Sequence, residues 1–370
     1  MKMSIQDKFL YRTSQDKAMV CEAIDNQQLS GTSQYIRLYE DKLSEYFNSL
    51  YCVAVSSGTA ALHCALIASG VKRGDEVIIP PTAPMMTAFP ILLIGAVPVF
   101  VDTNKCNFGF DENDLLKKIN PKTKAVICVP MWGYPFKCNN LKEICKRKDI
   151  VLIEDAAQAH GAKVERNFVG TIGDIGCFST HDRKLLSTGE GGFVLTNNDE
   201  YYQRIKAFIQ FNYMDGKSFG LNYKLSTLQA AIGISGLNRM NEQLSIRRKN
   251  AQYLLNGIND MGIKTIEPTL GIEPNYYALV LRFSNRDNCF LMKIRDFFIQ
   301  SGIPSETIRY SYKCLYEYDI FSEWKTFCPN AEALTSSIHT LPTHLGLTLF
   351  DLDYMIDQLQ QLAIILGVAD

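Results

Sequence analysis

Short, wholly apolar segments alternate with helical patterns through the first two thirds of this chain. YCVAV (51–55), EVIIP (76–80), PVFVD (98–102), KAVICV (124–129) and IVLIED (150–155) are the clearest. Segments that are apolar on every position suit strands buried on both faces, and such strands belong to a mainly parallel sheet with helices on either side. Helical stretches follow them: one from near Thr59, one from about Met85 to Gly95, and one opened by Asp111-Glu112. Asn139-Asn140 ahead of LKEICKRK opens another. GCFS and GGFVLTN read as further strands of the same sheet.

The pattern changes after about residue 245. A long helical stretch beginning near Leu225 leads into the strand ALVLRF (278–283), the helical segment FLMKIRDFFIQSGI and a terminal helix, LFDLDYMIDQLQQLAIILG. The expectation is an α/β fold of two parts. Residues 1–244 form a large domain with a mainly parallel mixed sheet flanked by helices, and residues 245–370 form a smaller C-terminal α+β domain. A chain of 370 residues has room for both.

Composition narrows the class. The chain carries 38 basic and 39 acidic residues for a formal net charge of -1, which gives no broad footprint for nucleic acid. Its start, MKMSIQDKFLYRTSQDK, has no apolar signal-like stretch, and the run AFPILLIGAVPVFV is short for a membrane span and holds two prolines. Eleven scattered cysteines without a CxxC pair suit free thiols in a reducing compartment. The expectation is a cytoplasmic protein with neither nucleic acid nor membrane as partner.

Chemistry concentrates in three segments. SSGTAAL follows the strand YCVAV directly. Its small residues allow a ligand close to the backbone, and a helix start with free N–H groups attracts phosphate. Gly58, Thr59 and Ala60 are the candidate contacts, although alone the turn reads more readily as a plain capped connection. Asp155 ends the strand IVLIED, where ligands of open α/β sheets gather. It could pair with a protonated ring nitrogen, and equally could be a helix cap or a metal-binding acid. Gln158 lies within reach of a ring oxygen; His160 could line the substrate side or be structural.

The third segment is CFSTHDRKLLSTGEGGFVLTN (177–197). Ser179 follows a strand and can bond a phosphate. Lys184 stands five residues after it and five before Gly189. Most lysines are solvated surface groups. A phosphate turn, an acid-ended strand and a glycine-flanked lysine, in this order, instead form a pocket for an aromatic phosphate that makes an imine with lysine. That cofactor is pyridoxal 5'-phosphate, with pyridoxamine 5'-phosphate as its aminated form. A desolvated lysine beside a cationic ring has a lowered pKa and can also carry protons.

These segments, with LSGTSQYIRLYEDKLSEYF, AVPVFVD, KTKAVICVPMWGYP, EDAAQAHGA and FGLNYKLSTLQAAIG, resemble the DegT/StrS sugar aminotransferases of the fold type I (aspartate aminotransferase) superfamily. The resemblance covers almost the whole chain. It implies that Lys184 carries the cofactor, that Thr59, Ala60 and Ser179 contact its phosphate, and that Asp155 and Gln158 meet the pyridine nitrogen and ring oxygen. It also implies that Asn222 reaches the phosphate of a neighbouring subunit, hence a homodimer with shared sites. The implied reaction moves an amino group, with glutamate as donor by family analogy, to a nucleotide-linked 3- or 4-keto-deoxysugar.

Three places depart from the family pattern. Pro84, in PPTAPMMTA, stands at or near the usual aromatic stacking residue. Lys224 replaces the usual arginine, and IRYSYKCLYEY (308–318) replaces a His-Tyr-Pro substrate segment. A cyclitol or other non-nucleotide ketone is therefore an alternative acceptor. Arg37, Arg183, Lys217 and Lys224 are undivided candidates for a pyrophosphate. A sugar dehydratase is a second reading; the family's dehydratases carry histidine in place of the lysine, and His181 lies three residues early. A non-catalytic cofactor-binding regulator is a third, and the intact lysine, acid and phosphate set argues against both.

Overall fold

The computed structural model describes residues 5–283 and 288–367. Thirteen strands are formed among them, in chain order β1 (Tyr51–Val55), β2 (Glu76–Ile79), β3 (Val97–Phe100), β4 (Thr123–Cys128), β5 (Val151–Asp155), β6 (Lys163–Val164), β7 (Asn167–Phe168), β8 (Ile175–Ser179), β9 (Gly192–Thr196), β10 (Lys264–Thr265), β11 (Ile272–Glu273), β12 (Ala278–Arg282) and β13 (Ile338–Pro342). Seven build the main sheet in the order β1-β9-β8-β5-β4-β2-β3. Pairings β2–β3, β2–β4, β4–β5 and β5–β8 are parallel. Only β9 runs against its neighbours, β8 and β1.

Both faces of this sheet are buried, as the unbroken apolar strands require. Val53, Val77, Ile127 and Ile153 point into one core cluster, shared with the helix Gly58–Ala68. Their neighbours Ala54, Ile78, Val126 and Leu152 point into the opposite cluster, shared with the helices Gln34–Phe47 and Thr227–Leu237. Because β2, β4, β5 and β8 run parallel and β9 runs against both β8 and β1, the carboxyl ends of β1, β2, β4, β5 and β8 lie along one edge, where ligands of such sheets bind.

The long helical stretch expected from Leu225 is two helices, Thr227–Leu237 and Met240–Ile258. The first packs tightly on the helix Gln34–Phe47, for a Cβ on Gly233 would lie 2.5 Å from the Tyr39 ring. At the break, the Arg239 guanidinium turns to Asp16, 2.8 Å away, and to Ser235. Beyond it, β10, β12 and β13 form a three-stranded antiparallel sheet. Leu279, Leu281 and Leu341 of that sheet pack with Leu254, Ile294, Met355 and Leu359 in a third core cluster. Position 244 falls inside the helix Met240–Ile258, and Val280, Leu315, Phe321 and Ile338 join the core of the main sheet. No helix among the described residues is long and apolar enough to cross a membrane.

Candidate active site

A cavity of about 320 Å³ opens at the carboxyl edge of the main sheet. Gly58, Thr59, Asp155, Gln158, Ser179 and Lys184 all line it. Each is set there by a strand end, so the positions follow from the topology.

After β1 the chain turns at Ser57, whose side chain accepts the Ala60 N–H at 3.0 Å and caps the helix Gly58–Ala68. Ala60, expected as a phosphate contact, does not line the cavity: its N–H is held by that cap and its side chain is buried in the core. Gly58 and Thr59 remain as the first-turn donors at the cavity wall. Gly58 must lack a side chain, because a Cβ there would sit 2.7 Å from Ser179 Cβ. The turn after β1 and the end of β8 thus form one cradle of N–H and hydroxyl groups.

Asp155 is buried at the end of β5. Thr87 Oγ1 donates to its Oδ2 at 2.6 Å, and the Ala157 N–H donates to Oδ1 at 3.2 Å. Burial pushes its pKa up; those two bonds and the charge of Lys184 act against that. Gln158 Oε1 accepts the Trp132 N–H at 2.7 Å. Trp132 holds a left-handed backbone, φ 49°, and its indole Nε1 donates to Glu306 Oε2 at 3.0 Å.

Lys184 sits in a tight turn, its N–H bonded to His181 O at 2.8 Å. Among the described residues no carboxylate pairs with its Nζ, which lies 5.1 Å from the centre of the Tyr277 ring. Its pKa is lowered, by burial first and by Arg183 as well, while Glu306 and Asp155 oppose the shift. A lysine held closer to its neutral form is one prepared to act as nucleophile and proton carrier.

The residues present fit pyridoxal phosphate. The cradle would suit a phosphate, the enclosed Asp155 would gain a partner in a protonated pyridine, and Lys184 Nζ, with no carboxylate paired to it among the described residues, could meet the carbonyl carbon. Pro84 lines the cavity beside Met85. His181 also lines it, with Nδ1 3.3 Å from Asp182 and Nε2 3.8 Å from Glu190. His160 does not: it is buried edge-on against Phe178, its pKa pushed down to about 3 by burial. Asn222 is exposed, outside this cavity, and accepts from Lys224 Nζ at 2.6 Å. Of the four cations considered for a pyrophosphate, only Arg183 lines the cavity, and it is bound to Asp7 at 2.5 Å.

Part of the opposite wall, Tyr277 and Glu306, comes from residues with no sequence signal of their own. Tyr277 OH donates to Glu306 Oε1 at 3.2 Å, so Glu306 receives Trp132 and Tyr277 together. Tyr310, Tyr312, Lys313 and Tyr318, all in the segment that departs from the family pattern, complete the wall. Tyr312 is fixed by a bond from its hydroxyl to Thr82 O at 2.6 Å and by edge-on contact with Trp132.

The fold and this cavity are those of a pyridoxal phosphate-dependent aminotransferase. Residues 11–360 match the DegT/DnrJ/EryC1/StrS aminotransferase family, and the chain belongs to it. It is 35% identical over 254 residues to a GDP-perosamine synthase of Escherichia coli O157:H7, across 67% of this chain and 70% of that one. It is 34% identical over 266 residues to an L-glutamine:2-deoxy-scyllo-inosose aminotransferase of Streptomyces kanamyceticus, across 68% of this chain and 62% of that one. The crystal structure of a DegT DnrJ EryC1 StrS aminotransferase from Brucella abortus superposes with a TM-score of 0.87 at 25% identity, covering 95% of each chain.

Proposed function

We propose that this enzyme transfers an amino group, with glutamate as donor, to the ketone of a sugar, a nucleotide-linked 3- or 4-keto-deoxysugar in the first instance. The observation that carries the reading is the convergence of an unpaired Lys184 Nζ, the buried Asp155 and the Gly58–Ser179 cradle on one cavity. Pyridoxal phosphate, when bound, supplies the electron sink through which the amino group passes from donor to acceptor. Gly58, Thr59 and Ser179 hold its phosphate. Asp155 keeps a proton on its pyridine nitrogen, with Thr87 orienting the carboxylate. Gln158 faces its ring oxygen. Lys184 Nζ takes a proton from donor carbon and returns one to acceptor carbon.

The substrate wall supports a hydroxylated acceptor. Tyrosine hydroxyls, the Trp132 ring and one carboxylate offer both apolar faces and hydrogen-bond acceptors. GDP-perosamine synthase among the relatives supports a nucleotide-linked acceptor. The inosose aminotransferase supports the second reading, a cyclitol ketone. Asn222 lies outside the cavity of its own chain, and that supports its service to a neighbouring site in a homodimer. The cytoplasm is the proposed location. The test is an amino-transfer assay with glutamate across nucleotide-linked keto-sugars and inososes, read as 2-oxoglutarate formed. One equivalent of 2-oxoglutarate per site from glutamate alone, with no further release on adding any of these acceptors, refutes the substrate class.

A further inference from the structure

Residues 5–13 run without helix or strand between two regions far from them in sequence. On the C-terminal side, Ile5 is buried in the third core cluster and its N–H donates to Gly302 O at 3.3 Å. Gln6 O lies 2.8 Å from His344 Nε2, and the Phe9 ring stacks on His344 at 6.4 Å. On the other side the segment is bound to the turn that bears Lys184. Lys8 Nζ pairs with Asp182, and Arg12 Nη2 donates to Ser187 Oγ at 3.0 Å. Asp7 joins the two sides, since one oxygen, Oδ2, meets both Arg183 Nη1 and Arg309 Nη2 at 2.5 Å. Arg183 directly precedes Lys184, and Arg309 closes the short helix that begins with Glu306.

We propose that Asp7 is a positioning residue for Lys184: its carboxylate locks the lysine turn to the C-terminal region and compensates the guanidinium that stands beside the lysine. Exposed ion pairs contribute little, but this carboxylate serves two guanidiniums, and Asp7 and Arg183 are only 20% and 18% exposed. The charged and titratable groups facing Lys184 are Asp155, Glu306, Arg183, His160 and Tyr277. Those facing Asp7 are Arg183, Arg309, Tyr310 and His344. Loss of the Asp7 charge therefore reaches Lys184 through Arg183, and an uncompensated cation disfavours a protonated nitrogen at Lys184. The proposal rests on Lys184 as the cofactor lysine and on glutamate as the donor, and on no choice of acceptor.

The test uses full-length protein loaded with pyridoxal phosphate, as wild type, Asp7→Asn, Asp7→Glu and Arg309→Gln. The visible absorption is titrated with pH, and single-turnover amino transfer from glutamate is timed. In Asp7→Asn the titration midpoint falls by about half a unit to one unit, a roughly three- to tenfold loss of proton affinity. Its single-turnover rate falls about tenfold while half-saturating glutamate changes less than about twofold, the pattern of a lost positioning contact. Asp7→Glu recovers much of both. Arg309→Gln keeps the Asp7–Arg183 pair, so its rate falls with a smaller midpoint shift. A wild-type midpoint and rate in Asp7→Asn, or Asp7→Glu as impaired as Asp7→Asn, overturns the proposal. If circular dichroism shows Asp7→Asn unfolded, Arg309→Gln decides, and an unchanged rate there overturns it. Wild-type protein that forms no visible band with the cofactor removes the role of Lys184 and this proposal with it.

Discussion

Replacing Asp155 by asparagine separates what this carboxylate does for the cofactor from what it does to the fold. The side chain is buried, with Thr87 Oγ1 on one oxygen and the Ala157 N–H on the other. Toward a protonated pyridine it would make a charge-assisted hydrogen bond, worth about 1.5–3 kcal/mol. Asparagine reduces that to a neutral contact, so the dissociation constant of pyridoxal phosphate should rise about tenfold to a hundredfold. Turnover should fall further, because an unprotonated ring is a poorer electron sink.

The effect on the empty protein has the opposite sign. Burial raises the folded-state pKa of Asp155, so the folded chain holds its proton to higher pH than the unfolded chain does. The destabilisation is absent below the unfolded value of about 3.9 and grows as pH rises through the folded value. Asparagine lacks this penalty. Cofactor-free Asp155→Asn should therefore melt at or above the wild-type temperature at neutral pH, and its advantage should vanish toward acid pH. Cofactor titration by visible absorption and paired melts of the cofactor-free proteins supply both readings. A folded Asp155→Asn with wild-type affinity and turnover would refute the pyridine assignment. A cofactor-free mutant less stable than wild type at neutral pH would refute the burial argument.

Three further outcomes are expected. Borohydride reduction of the loaded protein should fix the cofactor on Lys184, as read by peptide mass, and label recovered on any other lysine sinks that assignment. Gly58→Ala should weaken cofactor binding about tenfold through overpacking of about 1–3 kcal/mol against Ser179, while Lys184 remains the labelled residue; unchanged affinity would mean that the cradle yields. Inactive Lys184→Ala subunits mixed with inactive Asn222→Glu subunits should regain activity if sites are shared, and no recovery in mixed dimers confirmed to form counts against shared sites.

The cofactor side was legible because its residues are tied to strand ends a few positions away. β1 delivers Gly58 and Thr59, β5 delivers Asp155 and Gln158, and β8 delivers Ser179 and the Lys184 turn. Long-range topology then needed only to bring parallel strand ends to one edge, and the apolar strands dictated that. Ala60 is held away from the cavity wall for a local reason. Ser57 is the cap, Ala60 is the third helical residue, and a serine cap takes the N–H of that residue. The capped connection that the turn suggests on its own is thus present, with Ser57 as the cap. The break at Asn238 also carried a hint in Gly233 and Gly236, weak helix formers in an otherwise continuous pattern.

The substrate wall had no comparable local pattern. Glu306 meets the indole of Trp132 across 174 positions, and Tyr312 meets Thr82 across 230. Neither pairing leaves a period or a spacing in the chain. The resemblance marks IRYSYKCLYEY as the place of the family's substrate segment, but which of its side chains face the cavity depends on the C-terminal sheet. The division has a physical origin. Anchoring of a cofactor reuses strand ends and helix starts, which every sheet of this topology supplies, whereas recognition of an acceptor depends on which side chains the C-terminal region lowers onto that edge. The same region is fastened to the lysine turn by Asp7, through Arg183 and Arg309. A change in how the C-terminal region sits would thus reach the acceptor wall and Lys184 together, which couples the least legible part of the site to the most legible one.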